Sequence, residues 1–325
     1  MCGIVGAISD KNVIPTLLDG LQRLEYRGYD SAGLAIREAS GELKRFRSLG
    51  KVSVLKDLIE RSAVHGTLGI AHTRWATHGK PAERNAHPHM SGVRVAVVHN
   101  GIIENHNKLR DQLLAAGFSF TSETDTEVVA HLLAHKLEAG LSLLQAVQEV
   151  RREITGAYAL AAASPESPDC IIVTREGSPL VIGVGEGENF IASDVAALLQ
   201  VTQRFIFMEE GDIAEIRRDG ITIHDANGSE VQIEVQESRL SACSADKGAY
   251  RHYMLKEIHE QPGVIAETLE GRIHNGRLME ESFGHDIKAL LDQTRQVQIV
   301  ACGTSYHAGL VAKYWLEEIG VPCQV

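Results

Sequence analysis

The sequence lacks the features of several large protein classes. Its 325 residues include five cysteines, which lie far apart and never form a C-x-x-C pair, so we expect neither a disulfide framework nor a zinc site. No apolar run approaches the roughly 18–20 residues that cross a bilayer, and we expect no membrane partner. The first residues show no basic segment followed by an apolar one, so we expect no signal peptide. Together these absences favour a reducing, cytoplasmic location.

Positive charge is also scarce. The formal net charge is −11 at pH 7, which argues against nonspecific binding to nucleic acid. Histidines cluster between positions 72 and 106, but no H-E-x-x-H pattern or similar ligand spacing accompanies them. We therefore expect no metal and no cofactor, and we interpret most of these histidines as hydrogen-bonded supports of loops.

The chain is too long for one ordinary core and predicts about two domains. Asn12 precedes apolar residues at helical spacing, which predicts a capped helix through Ile14, Leu17, Leu18, Leu21 and Leu24. Three buried strands are predicted, over 34–36, 68–72 and 93–99. The last of them should end in the turn dipeptide Asn100-Gly101.

Thr124 and Glu127 have the spacing of a capping box, which predicts a helix to Ala139, and a second helix should follow over 142–153. After Gly156 the pattern changes to short strand-like runs, over 157–163, 170–174, 180–184, 190–192, 205–208, 212–216 and 221–224. Strands, then helices, then strands indicate an α+β fold in which two sheets are stacked between outer helices, an αββα sandwich.

The remaining part of the chain begins with a polar segment and continues as a separate domain. Small, polar residues over 241–249 predict a linker between a first domain at 2–240 and a second at 250–325. A helix over 250–269, interrupted near Pro262, should be followed by a strand at 297–301, a tight turn at 302–305 and a helix at 308–319. This unit indicates the beginning of an α/β domain. The apolar face of its helix would be exposed to solvent unless another protein surface packs against it.

Cys2 is the first candidate for chemistry. Removal of Met1, which a small second residue permits, would place a thiol and a free α-amine on one residue, a nucleophile with its own base. The alternative is that Cys2 is an incidental small residue at the start of a buried strand. A single cysteine does not decide between them.

Three further positions have both a chemical and an ordinary interpretation. Arg74 follows a buried strand and suits a carboxylate, with Thr77 and His78 as further donors, but it could equally form a surface ion pair. Asn100 and Gly101 could donate to an oxyanion or make only a hairpin turn. Asp125 could pair with an ammonium group or cap the helix that follows it.

These motifs occur together and in order. The first group comprises CGIVG (2–6), YRGYDSAG (26–33), HTRWATHG (72–79), NAHPH (85–89), HNGIIEN (99–105) and SETDTE (122–127). Later come FIASD (190–194), GDIAE (211–215), KGAYRHYMLKEI (247–258) and ACGTSY (301–306). The chain thereby resembles the glutamine–fructose-6-phosphate aminotransferase (isomerizing) family, also called glucosamine-6-phosphate synthases, over essentially its whole length.

The resemblance implies an N-terminal-nucleophile (Ntn) glutaminase domain followed by the start of a sugar-isomerase (SIS) domain. It implies that Cys2 is the nucleophile, that Asn100 and Gly101 form the oxyanion hole, and that Trp75 gates the passage of ammonia. Glutamine would be held through its carboxylate by Arg74, Thr77 and His78, and through its ammonium group by Asp125. Residues Cys302, Gly303, Thr304 and Ser305 would bind the phosphate of fructose 6-phosphate.

The family also implies a homodimer in the full-length protein. Its further SIS segments, with the lysine and the acid–base residues of isomerisation, would lie beyond Val325. We therefore expect this chain to hydrolyse glutamine at most. Two alternatives stay open: another class II amidotransferase, such as amidophosphoribosyltransferase or asparagine synthetase, and a non-catalytic sugar-phosphate sensor.

Overall fold

The computed structural model describes residues 2–76, 79–238, 248–269, 273–274, 277–278 and 287–325. Contacts divide the chain into two compact units, Met1–Asp246 and Lys247–Val325, and each is described by itself. Most of the linker predicted at 241–249 lies outside the described residues.

The first unit is built from fifteen described strands and five described α-helices. The strands are β1 (Gly3–Ser9), β2 (Ser31–Arg37), β3 (Leu43–Leu49), β4 (Leu68–Arg74), β5 (His89–Ser91), β6 (Val95–Ile103), β7 (Gly156–Ser164), β8 (Ser167–Glu176), β9 (Val181–Val184), β10 (Glu188–Ala192), β11 (Arg204–Phe207), β12 (Ile213–Arg217), β13 (Ile221–His224), β14 (Glu230–Val231) and β15 (Gln236–Glu237). The helices are α1 (Ile14–Leu24), α2 (Val52–Ser62), α3 (His106–Ala115), α4 (Thr126–Glu138) and α5 (Leu143–Glu153).

Two antiparallel sheets form the middle of this unit. The first has the order β15-β11-β9-β10-β1-β4-β2-β3, and the second has the order β14-β13-β12-β8-β7-β6-β5. One apolar cluster, including Leu17 and Leu55, lies between the first sheet and helices α1 and α2. Another, including Val129 and Val150, lies between the second sheet and helices α3 to α5. A third, including Ile70, lies between the sheets, so the predicted αββα sandwich is confirmed.

Helix α1 shows how the sequence pattern produces this layering. All five apolar residues predicted for its inner face are buried, and a proline in its first turn suits the start of a helix. Val13 occupies the N-cap position, and the Asn12 side chain accepts from the backbone N–H of Ile14 at 3.4 Å and of Gly66 at 3.3 Å. Asn12 thus ties the start of the helix to the segment before β4.

The capping box predicted at Thr124 and Glu127 is wrong. Glu127 is only 2% exposed, and its carboxylate accepts hydrogen bonds from the backbone N–H groups and hydroxyls of Thr121 and Ser122. A capping box is found instead at the next helix, between Ser142 and Gln145. The local spacing is the same at both sites. Before α4, however, Thr121 and Ser122 donate hydrogen bonds to the Glu127 carboxylate, which is then not available to cap the helix.

The turn predicted at Asn100-Gly101 is also wrong. Strand β6 continues through both residues to Ile103, and they lie opposite Ala159 and Tyr158 of β7. Long-range pairing with β7 supplies backbone hydrogen bonds that the local Asn-Gly signal does not anticipate. The two residues therefore sit on a strand, which fixes their positions more firmly than a loop would.

The second unit contains α6 (Tyr253–Leu269), β16 (Ile273–His274), β17 (Arg277–Leu278), α7 (Ile287–Gln293), β18 (Val297–Gln298), α8 (Gly303–Glu318) and β19 (Cys323–Gln324). Strands β18 and β19 are parallel and are connected through α8, a βαβ arrangement. The break predicted near Pro262 is absent, because α6 continues through that proline. The turn predicted at 302–305 instead forms the first turn of α8.

The apolar face predicted for the last helix is largely exposed. Val311, Tyr314, Trp315 and Ile319 are between 47% and 73% exposed. Across the described part of the chain, every helix is too short or too polar to cross a bilayer.

Candidate active site

Cys2 directly precedes β1, and the register of the sheet brings it to the end of β4. Gly3 pairs with Thr73, so the residues after Thr73 run alongside the thiol. The backbone N–H of Trp75 donates to Cys2 Sγ at 3.2 Å, and Sγ lies 3.5 Å from the carbonyl oxygen of Trp75. Burial raises the pKa of the Cys2 thiol, although the Trp75 N–H opposes that rise. A nucleophile at this position therefore needs a base to accept its proton.

Asn100 reaches the same place from the second sheet. Its side-chain Nδ2 donates to the carbonyl oxygen of Cys2 at 3.1 Å. A primary amide has two N–H bonds, so one remains for another acceptor. Gly101 follows in the strand with φ of +124°. The two residues thus place an amide side chain and a backbone N–H beside the residue that carries the thiol.

His72 holds the other end of the Asn100 amide. Its Nε2 lies 3.0 Å from Asn100 Oδ1 and 2.9 Å from the carbonyl oxygen of His99. Burial lowers the pKa of His72 to about 3, so the ring is neutral at pH 7. From the sequence, His72 was grouped with the histidines expected to support loops and was assigned no specific partner; its position at the end of a predicted buried strand, two residues before Arg74, was the available signal.

Arg74 is the last residue of β4 and is only 3% exposed. Its Nη1 and Nη2 donate to the carbonyl oxygens of Lys80 and Gly79, both at the long distance of 3.4 Å. Burial lowers the pKa of Arg74, and the neighbouring acidic groups Asp30 and Asp125 raise it in part. An arginine retains its charge under such a shift, so the site contains one buried cation.

Asp125 provides the opposite charge. It is 5% exposed and occupies the N-cap position of α4 without making a side-chain cap. Its Oδ2 accepts instead from the backbone N–H of Ile103 at 2.8 Å. The alternative interpretation of Asp125 as a helix cap is therefore wrong, and the carboxylate is held at the end of β6, close to Asn100 and Gly101.

The loop after β4 is anchored from a second side. Asp30, in the segment before β2, accepts from the backbone N–H of Ala76 at 2.8 Å. Trp75 is 45% exposed, and its ring contacts Tyr29 edge to face with centroids 5.6 Å apart. Sequence reasoning did not single out Asp30. The predicted ligands Thr77 and His78 lie outside the described residues.

One small cavity brings most of the predicted residues together. It is lined by Cys2, Arg74, Trp75, Gly101 and Asp125, and also by His87, His99, Thr124 and Thr126. Its volume is about 20 Å³, which accommodates about one water molecule. A thiol, one cation and one anion thus line the same small cavity.

Buried histidines make hydrogen bonds to the two threonines that line this cavity. His87 Nε2 and His99 Nδ1 both lie 2.9 Å from the hydroxyl of Thr126, and His89 Nε2 lies 3.0 Å from that of Thr124. Burial lowers the pKa of His87 and His89 well below the ordinary value. Three or more potential ligands do not converge on one metal-sized site anywhere in the described ranges.

The predicted phosphate-binding residues belong to the second unit. Cys302 is the N-cap of α8, and Gly303, Thr304 and Ser305 form its first turn. All four are exposed, and Gly303 has φ of +59°. The start of a helix presents backbone N–H groups that can receive an anion.

Comparison with known proteins identifies a glutamine amidotransferase domain and relatives along the whole chain. Residues 72–200 match a family model described as a glutamine amidotransferase domain. The chain is 58% identical over 326 aligned residues to a protein of Pseudomonas aeruginosa named glutamine–fructose-6-phosphate aminotransferase [isomerizing], and 54% identical to the protein of that name from Escherichia coli. Each alignment covers 100% of this chain and 53% of the relative. The chain therefore spans about half the length of the curated relatives it matches.

Solved structures give the same fold. Glutamine phosphoribosylpyrophosphate amidotransferase from Bacillus subtilis matches with a TM-score of 0.61 and 26% identity, over 70% of this chain and 50% of its own. A structure described as the allosteric regulatory enzyme of purine biosynthesis matches with a TM-score of 0.60 and 27% identity, over 69% and 49%. The family resemblance and the Ntn amidotransferase fold predicted from the motifs are thereby confirmed, whereas the SIS assignment stays a prediction.

Proposed function

We propose, for a chain similar along its whole length to glutamine–fructose-6-phosphate aminotransferases, that its first unit releases ammonia from L-glutamine through a thioester on Cys2. The observation that carries this proposal is the single cavity at which the Cys2 thiol, the Arg74 cation and the Asp125 carboxylate converge. A glutamine zwitterion requires one group of each charge, and its side-chain amide requires a nucleophile. The amide of Asn100 and the N–H of Gly101 complete the set.

The reaction begins once Met1 has been removed. The free α-amine of Cys2 accepts the thiol proton, and Sγ attacks the side-chain carbonyl carbon of glutamine. The negative charge that forms on the carbonyl oxygen is stabilised by Asn100 Nδ2–H and the N–H of Gly101. The protonated amine then gives its proton to the leaving nitrogen, the C–N bond breaks, and ammonia and a thioester result. Water, deprotonated by the same amine, hydrolyses the thioester to glutamate and restores the thiol.

Substrate binding is assigned to the charged groups. Arg74, with Thr77 and His78, would hold the α-carboxylate, because a guanidinium offers a planar pair of donors. Asp125 would hold the α-ammonium group. The backbone N–H of Trp75 contacts the thiol, and Trp75 is 45% exposed, which suits a gate for ammonia.

The second half of the reaction is proposed for the longer protein. A glutaminase domain at 2–240 and a linker at 241–249 would precede an SIS domain that begins at 250, with Cys302 to Ser305 on the phosphate of fructose 6-phosphate. Transfer of the ammonia to that sugar would give glucosamine 6-phosphate. We propose a homodimer, and a cytoplasmic location in which the free Cys2 thiol stays reduced.

The experiment combines intact mass with turnover. The purified protein should lack the mass of Met1 and should release ammonia and glutamate from glutamine, and Cys2→Ala should abolish that release. Cys170→Ala serves as the matched control, since burial raises the pKa of Cys170 to about 11 and its thiol lies on β8. Retention of Met1 would contradict the proposal and favour a non-catalytic sensor. Glutamine hydrolysis that survives in Cys2→Ala would show that Cys2 is not the nucleophile.

A further inference from the structure

We propose that His72 is a positioning residue that sets the orientation of the Asn100 amide and thereby aligns the oxyanion hole with Cys2. This inference rests on the proposed glutaminase function and names a residue that acts in it without touching the substrate. Its basis is a hydrogen-bonded chain of three groups, from the ring of His72 through the side chain of Asn100 to the backbone of Cys2.

The direction of each hydrogen bond follows from the partners. His72 Nε2 faces two oxygens, the carbonyl of His99 at 2.9 Å and Oδ1 of Asn100 at 3.0 Å. Oxygens of these kinds only accept, so Nε2 must carry the proton and donate to both. Since the ring is neutral, Nδ1 is then the unprotonated nitrogen, and among the described residues it has no hydrogen-bond partner.

This tautomer leaves Asn100 one favourable orientation. With Oδ1 toward His72, Nδ2 donates to the carbonyl oxygen of Cys2 at 3.1 Å. A rotation of the amide by 180° would set an N–H against the N–H of His72 and an oxygen against the oxygen of Cys2. Both hydrogen bonds would be replaced by repulsive pairs. The hydrogen bond from His72 to Oδ1 therefore keeps Nδ2 of Asn100, the donor that the oxyanion requires, on the side of Cys2.

The position of His72 makes it suited to this task. It is 1% exposed on β4, which pairs with β1 and hence with the strand that follows Cys2. Asn100 belongs to β6, in the other sheet. The bond between them therefore joins the sheet of the nucleophile to the sheet of the oxyanion donors. His87 stacks on the His72 ring with centroids 4.1 Å apart, which restricts its rotation.

The test compares two substitutions at the same position. His72→Met removes the N–H donor and introduces an apolar side chain of similar length. His72→Gln can instead place an amide N–H near the position that Nε2 occupies in the wild-type protein. Asn100 keeps its side-chain amide in both variants, and His72→Met removes the hydrogen bond that orients it. We therefore expect His72→Met to lower kcat for glutamine hydrolysis about 10- to 100-fold, less than the roughly 10²- to 10³-fold loss typical of a missing donor. KM should change less than about threefold, and His72→Gln should recover most of the rate.

A double-mutant cycle separates positioning from general support of the fold. If His72 acts through Asn100, the variant Asn100→Ala and the double variant Asn100→Ala/His72→Met should have the same kcat. An unchanged kcat in His72→Met would overturn the proposal. So would a loss in the double variant that equals the product of the two single losses, because His72 would then act independently of Asn100.

A second measurement does not depend on turnover. In ¹⁵N-labelled protein, the side-chain amide signals of Asn100, assigned by their loss in Asn100→Ala, should shift in His72→Met and return toward their original position in His72→Gln. Unchanged signals in His72→Met would refute the positioning role. Absence of turnover in the wild-type protein with Met1 removed would instead refute the glutaminase proposal, so the two failures are distinguishable.

Discussion

Gly101 lies directly against the backbone of Ala157. A Cβ added to Gly101 would be 2.0 Å from the carbonyl oxygen of Ala157, and φ at Gly101 is +124°. Space and backbone conformation thus independently restrict this position to glycine. The backbone N–H of Gly101 is also a donor of the proposed oxyanion hole. The fold thus requires glycine at the position where the proposed reaction requires a backbone donor.

Gly101→Ala should impair both stability and catalysis. The methyl group can be accommodated only if β6 moves away from β7, which should lower the free energy of unfolding by at least about 2 kcal/mol. The displaced N–H should lower kcat for glutamine hydrolysis about 10²-fold or more. Chemical unfolding and steady-state kinetics measure the two effects. A variant of wild-type stability and rate would show that the strand tolerates a side chain here.

Gly220→Ala provides the control for this substitution. A Cβ at Gly220 would meet nothing within 4 Å, and the residue lies in the turn between β12 and β13. Its stability should stay within about 0.5 kcal/mol of the wild-type protein, and its kinetics should be unchanged.

Local patterns predicted much of the fold. The spacing of Leu17, Leu21 and Leu24 predicted the inner face of α1, and the apolar run that ends at His72 predicted a buried strand. These signals depend on near neighbours in sequence, which is why they succeed. The order of strands in the two sheets could not be read from them, because it is decided by pairing between distant segments.

The candidate site was predicted less completely, for the same reason. Cys2, Arg74 and Asp125 were candidates from their residue types and received their roles from the family resemblance, and all three line one cavity. The bond between His72 and Asn100 spans 28 residues and two sheets, and no local spacing encodes it. The Asn100-Gly101 dipeptide was misinterpreted as a turn because the pairing of β6 with β7 overrides its local preference.

Asp125→Asn should weaken glutamine binding while leaving the stability of the fold nearly unchanged. An asparagine oxygen can still accept from the N–H of Ile103, which Asp125 Oδ2 now does at 2.8 Å, so the thermal midpoint should change little. The lost negative charge should weaken the hold on the substrate ammonium group by about 1.5–3 kcal/mol and raise KM for glutamine about 10- to 150-fold. Steady-state kinetics with glutamine test this, and kcat should stay within a few-fold.

The control for Asp125→Asn is Asp111→Asn, which removes an equal charge from an exposed position on α3. Its KM should match the wild-type value. If both variants raise KM equally, the effect comes from net charge and the assignment of Asp125 to the ammonium group is incorrect.

Stability should fall as the medium is acidified, because buried histidines remain neutral in the folded chain. Burial lowers the pKa of His72 to about 3 and that of His87 and His89 well below the ordinary 6.5. In the unfolded chain each would take up a proton as the pH falls through about 6.5, so the stabilisation is complete above that pH and is lost below it.

The size of this effect can be tested between pH 7 and pH 5.5. Each histidine should contribute a loss of about 1.3 kcal/mol over that interval, or about 4 kcal/mol for the three. Urea unfolding followed by circular dichroism measures the change. His89→Gln, which can retain the bond to Thr124, should reduce the loss to about 2.5 kcal/mol because one titrating group is removed. Equal stability at the two pH values would mean that these rings take up protons in the folded chain, which their burial opposes.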